Sequence, residues 1–411
     1  MLAVLRQRGF FLLWSGGVLS VIGDFFLFVA LPFFVYERTG STLATGAVFI
    51  AETLPRLLFG SVAGVFVDRW DRRKTMILSD LSRALILLPL LLVAAGGPLV
   101  LVYVVAFIEA SVSMFFLPAK GATIPNLVAE RDLTAANSLN ALGEEVPSLV
   151  GALLGGALLA VVGLSGLVLL DVATYLASAI LISLIRAPTA AAPDDEPDVP
   201  VEAAVSSWAN ALKEWVGGLR LIGRDRSIAV LFAVISVATV GEGVVTVLVI
   251  VFFKDVLGGG SAEFSYFVAA YGVGGILGGL LLGWSSNLIE ETRLFSLSLV
   301  ANGILLIAVF NTPVLAVIVA LSVLSGMTVV GWLVTSQTLL QKWVADRYLG
   351  RVFGALETTQ ALTILIGMGL AVVLEGLLSV VVVLSIVGGA WSLAGIIAWL
   401  MLPPAKSWHN E

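Results

Sequence analysis

Apolar runs about twenty residues long, separated by brief polar punctuation, recur along the whole chain. They predict helices at Phe10–Tyr36, Leu43–Val67, Thr75–Ala95, Leu99–Ala119, Leu139–Val162 and Leu164–Ile185. A second set is expected at Ile228–Phe253, Phe264–Trp284, Leu294–Phe310, Pro313–Thr335, Val352–Leu374 and Val380–Leu402. The runs are continuous rather than alternating, which selects helices over the strands of a barrel. A hydrocarbon core about 30 Å thick takes about 20 residues at roughly 1.5 Å per residue. Each run is therefore long enough for one crossing, and the fifth and sixth are separated only weakly.

Composition agrees. Hydrophobic residues make up 59% of the 411, and only 12% are charged, against about 25% charged in a soluble domain. An integral, multi-pass membrane protein follows. Cysteine is absent and the single histidine is His409, so disulfides, thiolate or histidine metal sites and a histidine proton relay are excluded. No nucleophile–base pair appears, and neither an enzyme nor a cofactor is expected. The net charge of −6 sits mostly in connections and says little about partners; none of it suggests nucleic acid. Arg6 and Arg8 precede an apolar run too long for a cleaved signal core, so that run reads as the first span.

Lysine and arginine fall on alternate connections. One set holds Arg6, Arg8, Arg69 to Lys74, Lys120, Arg131, Arg186 to Arg226, Arg293, Lys342 to Arg351 and Lys406; the other holds only Arg38 and Lys254. By the positive-inside rule both termini face the cytoplasm. Between Ala187 and Arg226 hydropathy drops. Asp194, Asp195, Glu196 and Asp198 among prolines read as an acidic linker. Trp208, Leu212, Trp215, Leu219 and Ile222 then recur at helical spacing, as expected of an amphipathic helix on the inner membrane surface with its tryptophans at headgroup level. The expected organisation is a six-helix bundle over residues 1–187, a cytoplasmic linker over 188–226 and a second six-helix bundle over 227–411. Val128-Ala129-Glu130-Arg131-Asp132-Leu133 follows the fourth span, and Val344-Ala345-Asp346-Arg347-Tyr348-Leu349 follows the tenth. Matching pieces at matching positions indicate a duplicated half.

The loop between spans two and three carries the densest signal. After Gly64, the seven residues Asp68-Arg69-Trp70-Asp71-Arg72-Arg73-Lys74 hold four cations and two carboxylates. Gly64, Asp68, Arg69, Arg72 and Arg73 resemble the signature loop of the major facilitator superfamily; Asp71 stands where a glycine is usual. Within that superfamily the chain is similar to the macrolide-efflux and enterobactin-exporter type. The pieces that match are Arg8-Gly9-Phe10, Leu13-Trp14, Gly23-Asp24, Ala30-Leu31-Pro32, Ile124-Pro125-Asn126-Leu127-Val128 and Gly350-Arg351-Val352-Phe353. The resemblance implies an all-α membrane fold of twelve helices in two pseudo-symmetric bundles, a monomer in the bacterial inner membrane, and a solute site at mid-membrane. It also implies a gating role for the loop, with Asp68 accepting from the start of span eleven. The arginine that many drug/proton antiporters carry in the fourth span is absent.

Charges within spans cost about 2.5–3.5 kcal/mol each at a helix centre on insertion scales. Asp24, Glu52, Arg56, Glu109 and Glu242 fall near mid-depth and are the candidate substrate or proton sites. Glu52 and Arg56 are one turn apart and are expected to neutralise each other. Arg83 lies near Asp80 and is expected to compensate Asp80 or Glu109. Asp24 and Glu242 would then be the least compensated carboxylates. A carboxylate desolvated in a cavity keeps its proton to higher pH, so it can carry a proton across or attract a cationic solute. The expected function is export of amphiphilic small molecules, cationic ones included, by proton-coupled alternating access. The alternatives are export of one defined metabolite, such as a siderophore or lysophospholipid, and a non-transporting membrane scaffold.

Overall fold

The computed structural model describes residues 4–67, 70–186, 215–220, 222–223, 225–285 and 289–404. Its helices are α1 (Arg8–Thr39), α2 (Thr42–Val67), α3 (Arg72–Leu87), α4 (Leu90–Ala94), α5 (Val100–Thr123) and α6 (Leu133–Ser183). They continue with α7 (Arg226–Val251), α8 (Ser261–Ser285), α9 (Glu291–Phe310), α10 (Leu315–Trp343), α11 (Asp346–Glu375) and α12 (Val380–Met401). The backbone divides into two compact units: unit 1 is residues 1–40 with 47–208, and unit 2 is residues 41–46 with 209–411.

Eleven helical stretches among the described residues are long and apolar enough to cross a membrane. One of them is α6, whose 51 residues would form a straight rod of about 76 Å at 1.5 Å per residue. It is not straight. Gly163 takes φ 66° and ψ −179°, a backbone region open essentially to glycine alone. Both halves of α6 then lie along α1. In the first half Trp14 donates its indole N–H to the Leu139 carbonyl at 2.7 Å, and a Cβ on Gly151 would stand 2.6 Å from the Ile22 carbonyl. In the second half a Cβ on Gly23 would overlap Asp171 and Thr174, and one on Gly16 would lie 3.1 Å from Ser178 Oγ. Contact with α1 advances along the first half and retreats along the second, so the halves are antiparallel. They are the fifth and sixth crossings, divided at the residue that separates the two expected runs.

The third crossing begins earlier than the apolar run alone suggests. Asp71 caps α3, its side chain accepting the Lys74 backbone N–H at 3.1 Å, which satisfies one of the donors left open at a helix start. The two units repeat one packing plan. In unit 1, α1 packs on both halves of α6, while α3 packs on α5 and α6. In unit 2, α7 packs on α11 and α12, while α9 packs on α10 and α12.

The glycine run of span eight serves close packing. A Cβ on Gly274 would overlap the Val323 carbonyl, one on Gly326 would overlap the Tyr271 carbonyl, and one on Gly278 would fall 2.7 Å from Met327 Cα. The backbones of α8 and α10 therefore touch, as small residues permit between membrane helices. Gly274→Val is expected to lower stability by about 1–3 kcal/mol or more through overpacking, read as a lower melting temperature of the detergent-purified protein. Gly275→Ala, where the nearest atom is Val330 Cγ2 at 3.5 Å, is expected to melt like the parent. Equal melting of both variants would disprove the contact.

The end of the linker helix packs within unit 2. The acidic stretch, Trp208 and Leu212 lie outside the described residues, but residues 215–220 are helical. Trp215 donates its indole N–H to Thr359 Oγ1 of α11 at 3.3 Å, and a Cβ on Gly218 would come within 2.6 Å of Ala355 Cβ. This face is docked on α11, which Gly218 permits because it has no side chain to hold the two helices apart.

Candidate functional site

Unit 1 gathers ionisable groups from four helices around one guanidinium. Arg83 of α3 is 2% exposed and Asp80, one turn earlier, is 0% exposed; Arg83 Nη2 donates to Asp80 Oδ1 at 2.5 Å. The other terminal nitrogen, Nη1, lies 3.8 Å from Asp24 Oδ2 of α1 and 3.8 Å from Glu109 Oε1 of α5. Two aromatic rings lie against the guanidinium: Cζ stands 4.3 Å from the Tyr175 ring centre and 5.0 Å from that of Phe116. Cation–π contact and the low local dielectric hold it there.

Tyr175, on the second half of α6, joins the two carboxyls. Its hydroxyl stands 2.5 Å from Asp24 Oδ1 and 2.9 Å from Glu109 Oε1. A phenol has one hydrogen to donate, so both contacts are hydrogen bonds at once only if one carboxyl brings a proton of its own. Asp171, 1% exposed, is held one turn before Tyr175 by the Thr174 hydroxyl at 3.0 Å. It reaches this position because Gly23 presents bare backbone to it. Asp171 lies within electrostatic reach of Asp24 and Glu109, and Glu52 of α2 within reach of Glu109.

A cavity of about 330 Å³ opens beside this cluster, with Asp24, Arg83, Ser20 and Ser113 in its wall. Lys120 of α5 and Glu144 of α6 also line it. Lys120 is 3% exposed and donates to Glu144 Oε1 at 3.2 Å. Gly17 makes room for it, since a Cβ there would sit 3.0 Å from Lys120 Nζ.

Of the residues singled out from the sequence, Asp24 and Glu109 are brought together. Contrary to expectation, Asp24 is not among the least compensated carboxylates, because Tyr175 and Arg83 both reach it. The Glu52–Arg56 pair does not form: Arg56 is exposed, and Glu52 Oε2 is buried without a hydrogen-bond partner. One turn of separation allows such a pair but does not compel both side chains to the same side. Glu242 is exposed on α7, within reach of Tyr271 of α8. In the signature loop, Gly64 lies in α2, while Asp68 and Arg69 lie outside the described residues. Arg72 Nη1 donates to the Ala122 carbonyl at 2.8 Å, and Arg73 Nε to the Ile182 carbonyl at 3.2 Å, with its Nη2 on Ser183. Both arginines thus bond to carbonyls in the last turns of α5 and α6, where a cation is favoured. Lys120, counted as a loop cation, is buried instead. Asp171, Tyr175 and Lys120 are the site residues that sequence reasoning passed over.

Residues 1–363 match the family model of transmembrane secretion effectors within the major facilitator group. Macrolide efflux protein A of Streptococcus pyogenes is 27% identical over 366 residues, covering 87% of each chain. A putative bacilysin exporter of Bacillus subtilis is 29% identical over 372 residues, covering 88% of this chain and 87% of the other. In fold, the chain is similar to a nucleoside transporter crystal structure, with a TM-score of 0.73 at 12% identity over 96% of this chain and 100% of the other. An inward-facing bacterial homologue of ferroportin gives a TM-score of 0.73 at 16% identity, covering 97% and 98%.

Proposed function

Because the chain belongs to the transmembrane secretion effector family of major facilitator transporters, we propose that it is a proton-coupled exporter whose proton is handled by Asp24, Tyr175, Glu109 and Arg83. It is a transporter of the efflux type and not an enzyme. The observation that carries the proton reading is the Tyr175 hydroxyl shared between two carboxyls, with one arginine near both. Around that arginine, among the described residues, stand four carboxyls: Asp24, Asp80, Glu109 and Asp171. Unpaired charge away from water costs several kcal/mol, and a proton is the smallest neutraliser available. With a proton on the Asp24–Glu109 pair, both oxygens facing Tyr175 are satisfied. When the proton leaves, Asp24 becomes an acceptor for a cationic group in the cavity. Proton and solute then compete for one place, and alternating access turns that competition into exchange. The driving force is about 1.4 kcal/mol per pH unit plus about 2.3 kcal/mol per 100 mV per charge.

Glu52 and Glu242 serve as secondary polar sites in this reading, and Gly64, Asp68, Arg69, Arg72 and Arg73 as the gate. The protein works as a monomer in the bacterial inner membrane with both termini cytoplasmic. Its substrates are amphiphilic small molecules, cationic ones included. A second reading, export of one defined metabolite, is favoured by the cavity: about 330 Å³ with both signs of charge in its wall is at the small end for ligand sites, which are mostly apolar.

Proteoliposomes tested with a dye panel and an imposed pH gradient decide the coupling. The parent is expected to move at least one dye faster with the gradient than without it, and Asp24→Asn to lose that acceleration. If the variant responds to the gradient as the parent does, Asp24 is not the coupling residue.

A further inference from the structure

We infer that the unit 1 cavity is a site for a small zwitterion, taking the solute's ammonium group at Asp24 and its carboxylate at Lys120. This rests on the export reading and names the solute class. Lys120 carries three N–H donors. One goes to Glu144 Oε1 at 3.2 Å, an oxygen that Asn140 Nδ2 also reaches at 3.1 Å. The other two donors have no acceptor among the described residues, yet the side chain is 4% exposed and lines the cavity. A buried ammonium with spare donors facing a cavity is a socket for an anion.

The opposite end has the complementary vacancy. Asp24 Oδ1 is taken by Tyr175, but Oδ2 is 3.8 Å from Arg83 Nη1, too long for a hydrogen bond, and the side chain is 35% exposed. A donor from the cavity can therefore bind Oδ2; Ser20 and Ser113 are also in the wall.

The spacing selects the solute. Lys120 lies over Gly17, and Asp24 is two turns further along α1, about 10 Å at 1.5 Å per residue. Taking that axial rise as the separation of the two charged groups and subtracting two charge-assisted hydrogen bonds of about 2.8 Å leaves roughly 5 Å between the solute's charged atoms. That is within reach of an extended dipeptide, whose two residues span at most about 7 Å, or of a short ω-amino acid. A solute of one sign would leave unfilled either the spare Lys120 donors or Asp24 Oδ2, and so forgo one of the two charge-assisted contacts. Each residue contributes one half of the selection.

The test uses the full chain in detergent, without any gradient, and three probes: 5-aminopentanoate, pentylamine and pentanoate. A ligand that binds the folded state raises the melting temperature by mass action. The half-saturating concentration of 5-aminopentanoate is expected to be at least tenfold below those of the two single-charge probes. Lys120→Met is expected to raise it tenfold or more, to the level of pentylamine. Lys120→Met with Glu144→Gln removes both members of the ion pair, so that an unstable single variant does not obscure the result. Equal binding of pentylamine, equal binding of pentanoate, no shift with any probe, or unchanged binding in both variants would each overturn the inference. Proton coupling is read separately, from gradient-driven flux in the parent, so either idea can fail while the other stands.

Discussion

Arg83→Gln is expected to lose about 3–5 kcal/mol of stability, the range for removing one partner of a buried ion pair. Arg83 is 2% exposed and Asp80 is 0% exposed, so the substitution leaves Asp80 buried without its cation. The cost is not limited to one bond. Asp24 and Glu109 each lie 3.8 Å from the same nitrogen, and the Tyr175 and Phe116 rings lose the cation they stack against. The measurement is the yield and melting temperature of monodisperse protein in detergent. Adding Asp80→Asn to Arg83→Gln removes the most deeply buried carboxylate left unpaired, and is expected to recover part of the loss. A single variant that melts like the parent would show that the cluster is held by something other than its arginine.

Tyr175→Phe separates the hydroxyl from the ring. The ring still stacks on Arg83, so folding is expected to persist, but the only hydroxyl contacting both Asp24 and Glu109 among the described residues is gone. A hydrogen bond to a charged group contributes about 1.5–3 kcal/mol, and about 1.4 kcal/mol is tenfold. The response of solute flux to a pH gradient is therefore expected to fall roughly ten- to a hundredfold, with gradient-free counterflow largely kept. Because the hydroxyl supplies only one proton to two acceptors, its removal also makes the pH dependence of the remaining flux follow the carboxyls alone, without their bridge. If the gradient response survives, the proton does not pass this hydroxyl.

Some of this site is readable in the chain and some is not, for physical reasons. Long apolar runs must be helical in lipid, so the crossings were legible, including the division at Gly163. In-span charge is costly, which pointed to Asp24 and Glu109. The same criterion applies to Asp171, well inside the sixth run, and would have found it. Lys120 directly follows the apolar run that ends at Ala119, so it resembles an interfacial cation until α5 is seen to continue to Thr123. Tyr175 and Thr174 carry no charge, and nothing in one sequence separates a bridging tyrosine from a packing one. Helical spacing allowed Glu52 to face Arg56, but side-chain direction depends on neighbours from other helices. Arg83 was legible as the partner of Asp80 or Glu109; that it reaches both, and Asp24 as well, depends on how α1, α3 and α5 are packed.

The bend at Gly163 also decides the parity of the path through unit 1. With α6 counted once, the segments of that unit number five, and its last residue would emerge on the face opposite its first. Counted as the two antiparallel halves that flank α1, they number six, and the chain returns to the side where it started. A single backbone torsion at a residue with no side chain thus sets on which side of the bilayer the following connection is delivered.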